Sequence, residues 1–127
     1  LFALPSDKLA SMKTKYIYHM CRFDEWQMAL SVGVYPGSSQ DIADGFMHFS
    51  NAEQIKDSAA KHRAGQNNLV LLTVDTDVLG NGLKWEPSRG GALFPHLYGP
   101  LLVDQVMRTD ALNLNEAGAH VFPDDLK

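Results

Sequence analysis

LVLLTVD, residues 69–75, is a run of apolar residues interrupted only by Thr73 before it ends at Asp75. A strand with one face in water alternates apolar and polar residues. A run this continuous predicts a strand covered on both faces, at the centre of a sheet. On its C-terminal side, DTDVLGNG (75–82) reads as a turn containing one helical turn. LKWEP (83–87) reads as a further strand, and LLVDQVMRTDAL (101–112) contains another. On its N-terminal side, the spacing of Ala52, Ile55 and Ala59 predicts a helix from Asn51 to about Arg63, ended by Gly65. Ser50 and Glu53 have the S-x-x-E spacing of a capping box for it. GFMHFS (45–50) reads as a short strand and KYIYHM (15–20) as the first strand. Between them, RFDEWQMALSVGVY (22–35) carries Trp26, Ala29 and Leu30 at helical spacing, with Asp24 as N-cap and Gly33 as stop. PGSSQDIADG (36–45) reads as a loop of turn residues, long enough to be a lid or a binding loop.

Helices therefore come early and most strands late. That order predicts α+β with a mixed or antiparallel sheet, because strands and helices do not alternate as a doubly wound fold requires. Neither a G-x-G-x-x-G nor a Walker-type loop is present.

At 127 residues the chain is expected to form one domain with a core able to fold alone. The formal net charge of -4 argues against a nucleic-acid partner. One cysteine, Cys21, excludes an intrachain disulfide framework and cysteine-rich zinc sites, and fits a reducing, cytoplasmic setting. No apolar run approaches the roughly 18 residues of a membrane span, so no membrane partner is expected. LFALPSDKLAS (1–11) lacks the basic start and apolar core of a secretory signal. It is expected to be an appended leader or a native arm, with the domain occupying 12–127 and starting near Met12.

The segment least explained by folding needs is GGALFPHLYGPL (90–101). A plain strand is not expected to hold Pro95 and Pro100 in its interior, since proline donates no ladder hydrogen bond. The expectation is a proline-braced strand end on which His96 and Tyr98 share a face. By the same alternation, His19 points with Ile17, and His48 with Phe46 and Ser50, away from Met47 and Phe49. Three segments can thus bring an imidazole to one cleft. Each has a plainer reading: His19 and His48 as hydrogen-bonded core histidines, and Glu86, beside a turn, as a surface glutamate. His62 and His120 read as solvated. A zinc or iron site would take three histidines with Glu86 as fourth ligand, yet no close histidine pair marks one. A two-histidine phosphoesterase needs two H-x-[ST] motifs. His48-Phe49-Ser50 supplies one, and His96-Leu97-Tyr98 breaks the other. A Cys21–His19 dyad has only closeness in sequence behind it.

Together, YIYHM, DEW, GFMHFS, LVLLTVD, KWE and GGALFPHLYGPL resemble the domain of unknown function family 952 over about residues 15–108. These are small, single-domain, mostly bacterial proteins, similar in fold to the ADP-ribosyltransferase superfamily. The resemblance implies an ADP-ribosyltransferase-like split mixed β-sheet, with two short helices near the N-terminal side, around a nicotinamide-dinucleotide cleft. It implies that His19 matches the first-strand histidine that bonds the nicotinamide ribose. Tyr98 would stack on a ring, and Glu86 would stabilise an oxocarbenium-like transition state. His48 and His96 have no counterpart in the toxin-like pattern. The basic set of the RNA 2'-phosphotransferases is not evident either, since Arg63, Arg89 and Arg108 are scattered.

The resulting expectation is a nucleotide-handling pocket of His19, His48, Ser50, Glu86, His96 and Tyr98. NAD, ADP-ribose or a related phosphorylated nucleoside would be its ligand, with NAD a substrate rather than a resident cofactor. An enzyme of this kind would be ADP-ribosyltransferase-like or NAD-glycohydrolase-like. It would act at the nicotinamide–ribose bond with Glu86 and His96 as catalytic groups. Two other readings stand beside it: a non-catalytic nucleotide or metabolite binding module, and a histidine-ligated metal site.

Overall fold

The apolar run at 69–75 is the middle of a three-stranded sheet. The computed structural model describes residues 14–127. The leader expected at 1–11 and the domain start expected near Met12 lie outside the described residues. Strand β4 (Leu69–Asp75) pairs with β1 (Tyr16–Arg22) on one side and β8 (Val106–Leu112) on the other. One face of β4 sends Leu72 and Val74 into the main core with Ile17, Cys21 and Trp26. The other sends Leu69 and Leu71 against Tyr18, Ile55 and Leu112. Both faces are covered, which is why the strand shows no polar alternation.

A second three-stranded sheet has the order β3-β6-β5, with β3 at Met47–His48, β5 at Leu83–Pro87 and β6 at Leu93–Leu97. Strands β2 (Val34–Tyr35) and β7 (Leu101–Leu102) form a two-stranded ribbon. Every strand pairing among the described residues is antiparallel, so the antiparallel alternative of the residue pattern holds, as three small sheets rather than the mixed one the resemblance implies. Parallel neighbours need a long crossover. Here Pro87 and Leu93 are joined by a short turn that reverses the chain.

Pro95 is inside the central strand of the second sheet, against expectation, and it pairs with Trp85. In an antiparallel ladder the N–H and C=O of one residue point to the same neighbour. The Pro95 carbonyl accepts from the Phe49 N–H at 2.9 Å, so its missing N–H faces the β3 side and costs nothing on the β5 side. There β3 has already ended, and the chain leaves at Ser50 to bridge Tyr18.

The helices differ from expectation in count and in caps. Helix α1 (Phe23–Val32) begins one residue before Asp24, with Arg22 as N-cap. Trp26 and Ala29 are buried, while Leu30 is exposed. Gly33 ends α1 as expected, at φ 88° with its N–H on the Ala29 carbonyl. Nothing would touch a Cβ there, so only the left-handed backbone opposes a side chain. Gly33→Ala should therefore lower the unfolding free energy by about 1 kcal/mol with an unchanged denaturant slope, read from a urea melt.

The expected loop at 36–45 contains α2 (Ser39–Asp44), making three helices among the described residues rather than two. The Ser38 Oγ accepts from the Asp41 N–H, the Asp41 carboxylate accepts from the Ser38 N–H, and Gly45 stops the helix. Helix α3 (Ile55–His62) starts later than expected. Ser50 cannot be its N-cap, because its backbone still exchanges hydrogen bonds with Tyr18. The reciprocal box is instead Asn51 with Gln54, and the Ser50 Oγ meets the Ser58 Oγ at 2.9 Å. No helix among the described residues is long and apolar enough to cross a membrane.

Candidate functional site

Strands β3 and β6 place His48 directly opposite His96. Opposed residues of an antiparallel pair project from the same face, and the two rings stand 5.5 Å apart, edge to face. The Phe46 ring stacks on His96 at 4.2 Å and leans on His48 at 4.7 Å. Phe46, His48 and His96 thus form one packed unit, as the alternation along GFMHFS predicts for the first two.

Behind His96 stands Glu86 of the neighbouring β5. Its Oε1 lies 2.8 Å from the His96 Nδ1 and accepts from the Tyr98 hydroxyl at 2.7 Å. The Tyr98 and His96 hydrogen bonds hold the Glu86 carboxyl below its ordinary range, so it is ionised at neutral pH and only accepts. Nδ1 must then donate to that carboxylate, so the neutral tautomer of the ring is the one whose lone pair is on Nε2. Nε2 has no hydrogen-bond partner among the described residues.

On the other side Asp41 is the hub. Its Oδ1 receives both the His48 Nδ1, at 2.6 Å, and the His48 backbone N–H, at 3.0 Å. Its Oδ2 receives the Ser38 N–H at 2.8 Å and lies 3.6 Å from the His19 Nε2. Burial alone would raise the Asp41 carboxyl, but these bonds and the nearby histidines hold it down at about 2. Its hydrogen bond raises His48 in turn, and the Asp44 carboxylate stands 3.1 Å from the His48 Nε2. His48 is thus bracketed by two carboxylates that favour its protonated form.

His19 is fully buried and pushed toward the neutral form by burial. Its Nδ1 is 2.6 Å from the His48 carbonyl and must donate there. Its Nε2 is 2.8 Å from the Tyr35 hydroxyl, from which the neutral ring accepts. Both nitrogens are engaged within the protein, so His19 acts as a clamp between β1 and β3. Ser50 is likewise buried and tied to Ser58.

His19, His48, Ser50 and His96 line one cavity of about 750 Å3, joined on its wall by Asp41, Phe94, Lys61 and Arg63. Glu86 and Tyr98 are outside this lining, behind His96. His62, expected in solvent, is exposed but also lines the cavity. His120 lies 2.8 Å from the Gln66 carbonyl. The Cys21 thiol is buried, bonds to the Arg22 carbonyl and is pushed up to about 12 by burial, so it makes no dyad with His19. Among the described residues no group of His, Cys, Asp or Glu is arranged to hold a metal ion.

Asp41, Asp44 and Tyr35 have no role in the sequence reading, and Phe46 enters it only as sharing a face with His48. For Asp41 the signal was available: Ser38-x-x-Asp41 is itself a capping-box spacing, with Gly45 as its stop.

The profile of a family described as "Protein of unknown function (DUF952)" matches residues 20–109. The chain is similar to protein CC0527 from Caulobacter crescentus. With its X-ray structure it shares 50% identity and a TM-score of 0.81, over 84% of this chain and 93% of that one. With the solution NMR structure of the same protein it shares 51% identity and a TM-score of 0.75, over 82% and 90% of the two chains. No curated protein matches.

Proposed function

The chain belongs to the family of proteins of unknown function designated DUF952, and from its cavity we propose a nucleotide-handling protein in which His96 moves the reacting proton. The ligand is NAD, ADP-ribose or a related phosphorylated nucleoside, and the reaction is cleavage or transfer at the nicotinamide–ribose bond. The observation that carries this reading is the Glu86–His96 dyad, with His96 lining a cavity of about 750 Å3 that also holds Lys61 and Arg63. That volume suits a nucleotide-sized ligand, and Lys61 and Arg63 are the cations that would meet its phosphates on a wall that also carries Asp41, Asp44, Glu53 and Asp57.

In the proposed step the glycosidic C–N bond breaks and its electron pair leaves with neutral nicotinamide. An acceptor hydroxyl or water attacks the anomeric carbon, and its proton passes to the His96 Nε2. Glu86 stabilises the imidazolium formed, so its charge reaches the transition state through His96 rather than directly. Phe94, on the cavity wall, takes the stacking position expected of Tyr98, whose ring leans on Phe46. His19 holds β3 in place and does not touch the ribose. The ADP-ribosyltransferase-like architecture implied by the sequence resemblance is part of the same proposal.

The test is a thermal melt with millimolar NAD, ADP-ribose and nicotinamide, each alone, followed by an assay for nicotinamide release. A ligand at about 100 times its dissociation constant adds roughly 2.7 kcal/mol. For a domain of this size that is a rise of roughly 5 to 20 °C. No rise with NAD or ADP-ribose overturns the nucleotide reading. The engagement of both His19 and both His48 nitrogens within the protein favours a second reading, a binding module without turnover. Binding without nicotinamide release assigns it.

A further inference from the structure

Arg63 is the cation whose surroundings the dyad chemistry leaves unexplained. Arg22 and Arg108 each pair with carboxylates. The half-buried Arg63 guanidinium instead donates to the Met20 carbonyl at 3.2 Å and the Gln66 Oε1 at 3.1 Å, both neutral acceptors. No carboxylate forms a salt bridge with it among the described residues. These two bonds fix the plane of the group and leave other N–H donors open. Its place in the fold is equally specific. Arg63, Ser38 and Ser39 line the histidine cavity and also a second, open cleft beyond it. That second cleft is lined by Phe23, Gln27, Asn67 and Asn68, with Asp24 and Glu25 on the same wall, Asp24 paired to Arg22.

We propose that Arg63 is an anion-binding residue at the junction of two clefts. It seats the phosphate or diphosphate of a two-armed ligand, one arm reaching His96 and the other the amide-lined cleft. A guanidinium held flat by two neutral acceptors presents its remaining donors as a fork, which matches phosphate oxygens. Amides and an aromatic ring in the second cleft supply hydrogen bonds and a stacking face for a polar heterocycle. This rests on the nucleotide reading and adds to it the seat of the anion and the direction of the second arm.

Amide NMR titrations of the full chain with inorganic phosphate, pyrophosphate, adenosine and ADP-ribose test it. In the wild type, pyrophosphate should move the Arg63, Gln66 and Asn67 signals. ADP-ribose should move those together with His96 and Leu97. Arg63→Gln should weaken both ligands roughly tenfold to a hundredfold, the worth of hydrogen bonds to a charged group. Arg63→Lys should fall between, since an ammonium keeps the charge but not the fork.

ADP-ribose binding to Arg63→Gln at wild-type strength overturns the Arg63 seat and leaves the nucleotide reading standing. Pyrophosphate binding that needs Arg63, with no binding of ADP-ribose, keeps the anion seat and removes the nucleotide. Neither ligand moving the Arg63, Gln66 and Asn67 signals of the wild type overturns the seat without reference to any variant.

Discussion

Asp41→Ala should destabilise the fold by about 3–5 kcal/mol, because it strips the partner from a buried charge. That lowers the melting temperature by roughly 10 to 20 °C. The residue is 3% exposed, and its carboxylate receives the His48 imidazole, the His48 N–H and the Ser38 N–H. Without it, α2 loses its capping box and two backbone donors lose their acceptor. Asp41→Asn is no safe replacement. Both carboxylate oxygens face donors, so the amide NH2 must point at an N–H whichever way it is turned.

The pH dependence follows with a definite sign. The folded Asp41 carboxyl lies at about 2, below its ordinary 3.8. Its contribution is therefore complete above pH 3.8 and is lost as the pH falls through 2, on the order of 2 kcal/mol by linkage. His48 is shifted upward, so its share is complete below 6.5 and is lost as the pH rises through its higher folded value. Both shifts express the same ion pair and are not added. Urea melts from pH 2 to 8 should show the wild type losing stability at both ends, with Asp41→Ala much flatter. A variant melting within about 3 °C of the wild type at neutral pH would sink the hub role of Asp41.

His96→Ala should reduce nicotinamide release by about 10²- to 10⁴-fold, the usual worth of a positioned acid or base. Glu86→Gln should cost a similar order by a different route. Its amide accepts from the Nδ1–H only in one orientation, and in the other it holds the ring in the tautomer whose Nε2 has no lone pair to offer. For Glu86→Gln the loss should appear in kcat rather than KM, since Glu86 is outside the cavity wall that seats the ligand. Stability separates this role from a structural one. The Glu86 side chain is 38% exposed, so Glu86→Gln should melt within a few degrees of the wild type. Wild-type turnover by Glu86→Gln would remove the orienting role, and wild-type turnover by His96→Ala would remove the proposed mechanism.

The strands with the strongest patterns were legible to the residue. LVLLTVD and LKWEP match β4 and β5 in full, and DTDVLGNG does contain helical turns. Gly33 announced the end of α1. Other local signals were present but lost to competitors. Ser50-x-x-Glu53 looked like the cap of α3, yet the Ser50 backbone is held by Tyr18, more than thirty residues earlier in the chain. Pro95 argued against a strand interior, and the outcome depended on which side its missing N–H faced. That side is a matter of strand order, which no window around residue 95 contains.

Of the site, the sequence determined the imidazoles and their faces, because strand alternation is a property of the local backbone. It placed His48 beside Phe46 and paired His96 with Tyr98. Only the tertiary structure decided what each imidazole does. His19 is closed by the His48 carbonyl and the Tyr35 hydroxyl, and His48 by Asp41 and Asp44. Glu86 and Tyr98 stand behind His96, with Glu86 holding its Nδ1 while the residue lines the cavity. Side-chain direction is set by a residue's own backbone, whereas hydrogen-bond partners are set by which strands and helices meet. A histidine's chemistry follows its partners.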